Sequence, residues 1–305
     1  MQQPPNIVIR NYGRYYDVET PEGIVRCVPR GSLKRARRER KTDVVAVGDR
    51  VEITPTGPGE GVIEAVAPRR KVLARLARGT SDVEQVILAN PDQLVAVFAV
   101  AEPEPHPRML DRFLLLAEAR GIPAAVVVNK IDLDESGELR RRFAPYRAAG
   151  YPVIETSART GAGIEELRRL LAGKISVLTG PSGVGKSSLI NDLAPERRER
   201  TGEISTATGK GRHTTTATVL FPLGQSGYLA DTAGIRALGL VGVEPELLDH
   251  YFPEFRPELG RCYYADCTHL DEPGCAVREA VEAGAIDRGR YESYRALRNP
   301  AEAEG

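Results

Sequence analysis

Five short motifs occur in this chain in an order that restricts its fold. NKID at 129–132, typical of a loop that reads guanine, and SA at 157–158 both precede GPSGVGKS at 180–187, which has the pattern of a phosphate-binding loop. The threonines at 214–216 and the sequence DTAG at 231–234 come afterwards. Ordinary GTPases begin with the phosphate loop and end with the guanine motifs. The order found here therefore predicts a circularly permuted GTPase domain.

Three regions of different composition divide the 305 residues. Residues 1–68 contain short alternating runs separated by glycine and proline, which predict an all-β barrel of four to five strands. Residues 69–240 alternate apolar strands with helices, which predicts a three-layer α/β/α sheet. Residues 241–305 hold a cysteine cluster and a helical tail, which predict a small α-rich domain. The predicted fold class is multidomain α/β with a small β-barrel.

The phosphate loop has the strand–loop–helix context that its motif requires. Its backbone N–H groups would surround the β-phosphate, Lys186 would bridge the β- and γ-phosphates, and Ser187 would ligate Mg²⁺. In NKID, Asp132 would accept two N–H groups of guanine, Asn129 would bond N7 or O6, and Lys130 would cover the ring. The residues predicted to bind nucleotide in these loops are Asn129, Lys130, Asp132, Ser157, Ala158, Gly180, Ser182, Gly183, Val184, Gly185, Lys186, Ser187 and Ser188.

Downstream of the phosphate loop the sequence predicts the parts that sense the γ-phosphate. Asp231 would lie on the Mg²⁺ side of the site, and the N–H of Gly234 would meet the γ-phosphate. One of the threonines that precede the strand ATVLF would ligate Mg²⁺. Thr215 is preferred and Thr214 stays open, because the sequence does not fix the register.

The position after DxxG departs from the usual GTPase pattern. Many GTPases place a glutamine there to orient the attacking water, whereas this chain has Ile235. We therefore expect slow intrinsic hydrolysis unless another group orients the water. His213 is the nearest candidate for that catalytic role, because an imidazole accepts a proton near neutral pH. The competing interpretation is that this histidine only packs or bonds to backbone.

Four metal-ligating residues fall close together near the end of the chain. Cys262, Cys267, His269 and Cys275 supply three thiolates and an imidazole within 14 residues, which is the donor set of a closed structural Zn²⁺ site. The alternative is a set of reduced, buried cysteines with an incidental histidine. Cys27 stands apart in a predicted strand and is expected to be a small core residue.

A basic run interrupts the predicted barrel. Such runs are usually solvated loops, but on a small β-barrel beside a GTPase domain this one is interpreted as a phosphate-contacting RNA surface. The sequence shows no aromatic RNA-binding signature, so the expected contact is electrostatic. The predicted RNA-binding residues are Lys34, Arg35, Arg37, Arg38, Arg40 and Lys41.

Together these sequences resemble the RsgA (YjeQ) family of circularly permuted GTPases of small ribosomal subunit biogenesis. RGSLKR and VGDRVEI are similar to its OB-fold domain, GRHTTT and DTAG to its GTPase domain, and CxxxxCxHxxEPGC to its zinc domain. The family more often has DSPG where this chain has DTAG. The resemblance implies GTP hydrolysis stimulated by the 30S subunit, binding near the decoding region of 16S rRNA, and a late checkpoint on subunit maturation. It also implies His213 as the catalytic group.

Cofactors, partners and location follow as expectations. The cofactors are one structural Zn²⁺ and Mg²⁺ with GTP, and the partners are the 30S subunit, 16S rRNA and GTP or GDP. The chain has no run of 18 apolar residues and no secretory signal pattern at its start, so we expect a cytoplasmic protein without membrane contact. We also expect a monomer.

Two other functional classes stay open at this point. A GTP-gated binding protein with incidental hydrolysis is supported by Ile235 in place of glutamine. A metabolic P-loop kinase or ATPase has the same phosphate loop, but NKID favours guanine over adenine.

Overall fold

The computed structural model describes residues 6–33, 44–76, 84–194, 218–224, 227–231 and 243–299. The chain forms two compact units. The first comprises residues 1–95, 164–179 and 186–241, and the second comprises residues 96–163, 180–185 and 242–305. Both units contain parts of the predicted GTPase region. Within the described ranges, no helix is long and apolar enough to cross a membrane.

Strands and helices alternate through the middle of the chain, as predicted. The strands of the described residues are β1 (Asn6–Asn11), β2 (Tyr16–Thr20), β3 (Gly23–Pro29), β4 (Arg50–Gly57), β5 (Glu60–Val66), β6 (Val72–Leu76), β7 (Glu84–Ala89), β8 (Gln93–Ala99), β9 (Ala124–Asn129), β10 (Val153–Glu155), β11 (Ile175–Thr179), β12 (Val219–Pro222) and β13 (Tyr228–Asp231). The helices are α1 (Pro107–Ala119), α2 (Glu138–Arg141), α3 (Ala144–Ala148), α4 (Ile164–Leu171), α5 (Lys186–Leu193), α6 (Ala276–Glu282) and α7 (Arg288–Arg298). Short 3₁₀ turns follow β9 and precede the cysteine cluster.

Strands β1 to β5 form a closed barrel. Their neighbour order is β1-β2-β3-β5-β4, and β4 pairs back to β1. The β3–β5 pair is parallel and the other pairs are antiparallel, an arrangement that resembles the five-stranded OB fold. Alternate side chains such as Val8, Val18, Val51 and Ile63 fill the interior, together with Cys27, which is also fully buried. The predicted barrel and the core position of Cys27 are confirmed.

Buried polar side chains hold the barrel against the chain that leaves it. Arg69 donates from Nε and Nη2 to the two carboxylate oxygens of Asp49, each at 2.8 Å, and the side chain of Asp49 is fully buried. Asn90, also buried, accepts from the backbone N–H of Arg70 and donates to the carbonyl of Gly48. The barrel loop at 44–49 is therefore fixed to the segments on both sides of β6 and β7.

The predicted sheet is present in both units. In the first unit β11 runs parallel to β13, and β12 is antiparallel to β13 and to the barrel strand β1. The first residue of β8, Gln93, donates to Ser176 of β11. In the second unit the end of β8 is followed in the sheet by β9 and β10, which pair in parallel. All residues of β8 and β11 are buried, as expected for strands covered on both faces.

The region after residue 243 packs on aromatic rings. Phe252, Phe255 and Tyr294 have ring centroids 5.0–5.5 Å apart. The predicted helical tail is two helices, because α6 ends before Gly284, which has a φ of +74°, and Asp287 starts α7 by accepting from the N–H of Arg290. A few turns and two short helices thus surround the cysteine cluster.

We predict that Asp49→Ala destabilises the barrel by about 3 kcal/mol, because it leaves the guanidinium of Arg69 without its buried partner. Chemical unfolding followed by circular dichroism would measure this loss. Glu52→Ala, at an exposed position of β4, is the control and should change stability by less than about 0.5 kcal/mol. Equal stability of the two variants would show that the ion pair does not support the barrel.

Candidate functional site

One buried amide connects three of the predicted nucleotide motifs. Asn129 ends β9 and is only 1% exposed. Its Nδ2 donates to the carbonyl of Val184 in the phosphate loop at 2.8 Å. Its Oδ1 accepts from the hydroxyl of Thr156 at 3.1 Å and from the N–H of Ala158 at 3.3 Å. NKID, SA and the phosphate loop are therefore brought together around this side chain in the second unit.

Two glycines of the phosphate loop allow this close approach. Gly185 has a φ of +92°, and a Cβ there would lie 2.3 Å from Nδ2 of Asn129. Gly180 has a φ of +144°, and a Cβ there would lie 2.0 Å from the carbonyl oxygen of Val97. Side chains at these positions would push the loop away from β8 and β9. Gly180 and Gly185 are thus required by packing.

The carboxylate of Asp132 is held by two donors. The hydroxyl of Ser157 lies 2.5 Å from Oδ1, and Nε of Arg159 lies 2.7 Å from Oδ2. These contacts, the one to Ser157 first, hold the pKa of Asp132 below its usual value. The N–H of Thr160 donates to the same serine hydroxyl, so the loop orients the serine as well. An ionised carboxylate only accepts hydrogen bonds, which suits it to the two donors of a guanine edge.

Lys130 has a different contact from the one expected. Its backbone has a φ of +61°, and its ammonium group donates to the carbonyl oxygen of Glu102. The segment that follows β8 also lies against the phosphate loop, since a Cβ on Gly183 would be 3.5 Å from Pro103. Coverage of the base by Lys130 stays a prediction, and the lysine connects NKID to this neighbouring segment.

The remaining predicted nucleotide residues are distributed as follows. Ser182 lies between the glycines of the loop in the second unit, while Lys186, Ser187 and Ser188 begin α5 in the first unit. Asp231 ends β13, and its side chain lies outside the described part of the structure. Also outside the described residues are His213, Thr214, Thr215, Gly234, Lys34, Arg35, Arg37, Arg38, Arg40 and Lys41.

The predicted zinc ligands converge. One donor atom from each of Cys262, Cys267, His269 and Cys275 lies within 4.8 Å of the others. The sulfurs of Cys262 and Cys275 are 3.9 Å apart and lie 3.5 and 3.4 Å from Nδ1 of His269. Ligands at about 2.3 Å from a tetrahedral Zn²⁺ would be separated by about 3.8 Å. Burial raises the pKa of Cys267 to about 12, so thiolates here need a nearby cation. The residues fit one structural Zn²⁺.

Polar groups outside the four ligands orient this cluster. Asp249 Oδ2 lies 3.3 Å from Nε2 of His269, which leaves Nδ1 for the metal side. Tyr291 donates to the carbonyl of His269 at 2.8 Å. The carboxylate of Glu272 accepts from the N–H groups of Thr268 and Leu270, both within 3.0 Å, and so shapes the loop between the ligands. The sequence did not indicate Asp249, because it lies 20 residues before the histidine.

The barrel carries exposed aromatic residues that the sequence interpretation missed. Tyr12 and Tyr15, in the turn between β1 and β2, are 49% and 41% exposed. Guanidinium groups lie over both rings, with Arg26 5.5 Å from the centroid of Tyr12 and Arg14 5.6 Å from that of Tyr15. We call these four residues the hairpin patch. The sequences YGRY at 12–15 and GIVRC at 23–27 contain these residues, whereas their exposure and stacking required the fold.

The fold and the site define a class of protein. A five-stranded barrel, a sheet whose base-reading motifs precede the phosphate loop, and a Cys₃His cluster together form a circularly permuted GTPase with added domains. The family described as RsgA GTPase matches residues 66–241, and the family described as RsgA N-terminal domain matches residues 7–63. The chain belongs to the RsgA GTPase family and is therefore a GTP hydrolase.

Individual relatives extend over nearly the whole chain. It is 47% identical to the small ribosomal subunit biogenesis GTPase RsgA of Gemmatimonas aurantiaca, with 96% of each chain covered, and 46% identical to that of Moorella thermoacetica, with 94% and 93% covered. The crystal structure of YjeQ from Thermotoga maritima matches with a TM-score of 0.78 and 38% identity over 98% of both chains. YloQ, described as a circularly permuted GTPase, matches with a TM-score of 0.75 and 28% identity over 100% of this chain and 96% of its own.

We predict that Asn129→Ala lowers GDP affinity about 100-fold, because it removes three hydrogen bonds, two of them buried, that together contribute about 3 kcal/mol. Thr156→Val removes one of them and should cost only about fivefold. Equilibrium titration with GDP would measure both, and thermal unfolding would check that the variants are folded. Tight GDP binding by a folded Asn129→Ala protein would contradict the role of this amide.

We also predict that Asp249→Asn lowers Zn²⁺ affinity about 10- to 100-fold, because His269 loses a charged acceptor. Competition with a chromophoric chelator would measure the affinity, and proteolysis of the segment around 262–275 would report its folding. Asp266→Asn, an exposed change between Cys262 and Cys267, is the control and should leave both the Zn²⁺ affinity and the proteolysis unchanged. The assignment is wrong if the two variants hold the metal equally well.

Proposed function

We propose that this chain is a GTPase that binds the 30S subunit and its 16S rRNA, and couples hydrolysis to late small-subunit maturation and to its own release. The names of its relatives support the ribosomal assignment. The observation that carries the GTPase site is the Asn129 amide, which holds the two guanine motifs against Val184 of the phosphate loop despite the permuted order. The charged, acceptor-only Asp132 favours guanine over adenine, which argues against a kinase or ATPase.

The proposed nucleotide site assigns a role to each motif. Asp132 accepts N1–H and the exocyclic amine of guanine, the N–H of Ala158 lies beside O6, and Asn129 holds the loops in register. The backbone of 180–185 surrounds the β-phosphate, and Lys186 bridges the β- and γ-phosphates. When bound, Mg²⁺ neutralises phosphate charge, and Ser187 with Thr215 or Thr214 would hold it on the side of Asp231. Gly234 meets the γ-phosphate, and His213 orients the attacking water.

The barrel is the proposed RNA-binding part. The hairpin patch combines exposed rings with guanidinium groups, a combination that stacks on unpaired bases and contacts phosphates. Tyr12, Arg14 and Tyr15 lie in the β1–β2 turn, and Arg26 lies on β3. This turn and the strand 2–3 face bind oligonucleotides in other OB folds. The basic run at 34–41 lies in the connection between β3 and β4 and would add phosphate contacts. This extends the electrostatic surface predicted from sequence.

The same proposal gives the chain its organisation. Residues 1–68 act as the RNA-binding barrel, residues 69–240 as the GTPase domain, and residues 241–305 as a domain stabilised by one Zn²⁺. We propose that it works in the cytoplasm as a monomer. Hydrolysis would weaken the binding of the protein to the 30S subunit, so that release follows maturation.

We predict that purified 30S subunits raise GTP turnover at least about tenfold, and that the stimulation falls between low and moderate salt, because phosphate contacts release counterions. The doubly substituted Tyr12→Ala, Tyr15→Ala variant should need roughly tenfold more subunit for half-stimulation, while its turnover without subunits stays normal. The matched control is Ile24→Ala, an exposed apolar barrel residue. Turnover that subunits do not change would instead favour a GTP-gated binding protein with incidental hydrolysis.

A further inference from the structure

Arg159, the residue after the SA dipeptide, contacts the carboxylate proposed to read guanine. Its Nε lies 2.7 Å from Oδ2 of Asp132, and its own side chain is 73% exposed while that of Asp132 is 10% exposed. The arginine therefore reaches from the surface onto a largely enclosed carboxylate. Arg159 has no part in the nucleotide-binding roles proposed for the five motifs.

The fold of its loop sets this position. The N–H of Ser157 donates to the carbonyl of Ala162 at 3.0 Å, and the N–H of Gly161 donates back to the carbonyl of Ser157 at 2.9 Å. Gly163 lies so close to β10 that a Cβ would be 1.9 Å from the carbonyl oxygen of Glu155. The loop is thus a tight turn closed by its own backbone, and Arg159 projects from it toward Asp132.

Reading guanine makes a specific demand on this carboxylate. Guanine presents two donors, N1–H and the exocyclic amine, and only the ionised carboxylate accepts both. A protonated carboxyl would direct its own O–H against one of them. A base bound in front of Asp132 also removes water from the carboxylate, and a charge that loses water is costly unless an opposite charge or hydrogen bonds replace the solvent.

Arg159 is the charged group in position to meet that demand. Ser157, the other side chain bonded to the carboxylate, is neutral. The neighbouring cation, Lys130, directs its ammonium to the carbonyl of Glu102. Among the described residues, Arg159 is the one cation that forms an ion pair with Asp132.

We propose that Arg159 is a positioning residue that determines guanine specificity, because it keeps the carboxylate of Asp132 charged and oriented toward the base. This inference rests on the proposed guanine site. The contact of Asp132 with the exocyclic amine of guanine then depends on Arg159. Hypoxanthine lacks this amine, so the discrimination between guanine and hypoxanthine also depends on Arg159.

Titration of the full-length protein with GDP and with IDP tests this role. Arg159→Gln should lower GDP affinity about tenfold and IDP affinity less, so that the ratio between the two falls. Arg159→Lys retains a cation and should recover most of the lost GDP affinity. Arg141→Gln removes an exposed arginine from α2 and should change neither nucleotide. A purely structural defect would instead lower both affinities equally and would not respond to lysine.

The variant Asp132→Asn distinguishes failure of the proposed guanine site from failure of the role of Arg159. Asp132→Asn replaces the carboxylate with a neutral amide, which should prefer XDP because xanthine presents a carbonyl where guanine has its amine. Adding Arg159→Gln to this variant should leave XDP affinity within about twofold, since no charge needs support. If Asp132→Asn does not weaken GDP binding, the proposed guanine site fails. If it does and Arg159→Gln alone has no effect on GDP, only the role of Arg159 is overturned.

Discussion

The contact between the predicted nucleotide motifs depends on a single neutral side chain that is almost fully buried. The side chain of Asn129 donates to the carbonyl of Val184 in the phosphate loop and accepts from Thr156 and from the N–H of Ala158. A buried amide must satisfy these groups wherever its partners fall in sequence, because leaving one unpaired costs about 1–3 kcal/mol. This explains how the permutation is tolerated. These contacts join residues that are 27 to 55 positions apart in the sequence. They do not depend on the order in which the strands and loops are connected, so a circular permutation leaves them unchanged.

Carboxylate groups orient neighbouring side chains at two other places in the structure. In the barrel, the carboxylate of Asp49 accepts two hydrogen bonds from the guanidinium of Arg69, which fixes the loop at 44–49 to the segment that leaves the barrel. At the Cys₃His cluster, Asp249 contacts the ring of His269, and three buried or half-buried cysteines would supply the sulfur ligands of one Zn²⁺. Both carboxylates stabilise a geometry that apolar packing could not specify, since hydrogen bonds are directional and hydrophobic contacts are not. The region after residue 243 has few elements, so metal binding would supply much of its folding energy.

Sequence periodicity and spacing predicted the barrel, the parallel strands and the convergence of the cysteine cluster, because each depends on a local pattern. Contacts between distant residues were less accessible. The expectation that Lys130 covers the base did not anticipate its bond to Glu102, which comes from another loop. Asp249 is separated from its histidine by a stretch without periodicity. The exposure of Tyr12 and Tyr15 was also not predictable, because residue type does not reveal whether a side chain is buried. Their exposure follows from their place in the turn between β1 and β2.

The permutation also changes what lies next to the switch sequences. The threonines at 214–216 precede β12 by two residues in the sequence. Strand β12 pairs on one edge with β13 and on the other with β1 of the barrel, where Val219 lies opposite Arg10. Tyr12 follows two residues after Arg10, and a side-chain hydrogen bond joins them. A strand bonded on both edges transmits displacement better than a free loop, because its register cannot shift without breaking a ladder. The barrel strand that leads to the hairpin patch and the strand that follows the threonines are therefore neighbours in one hydrogen-bonded sheet within the first unit.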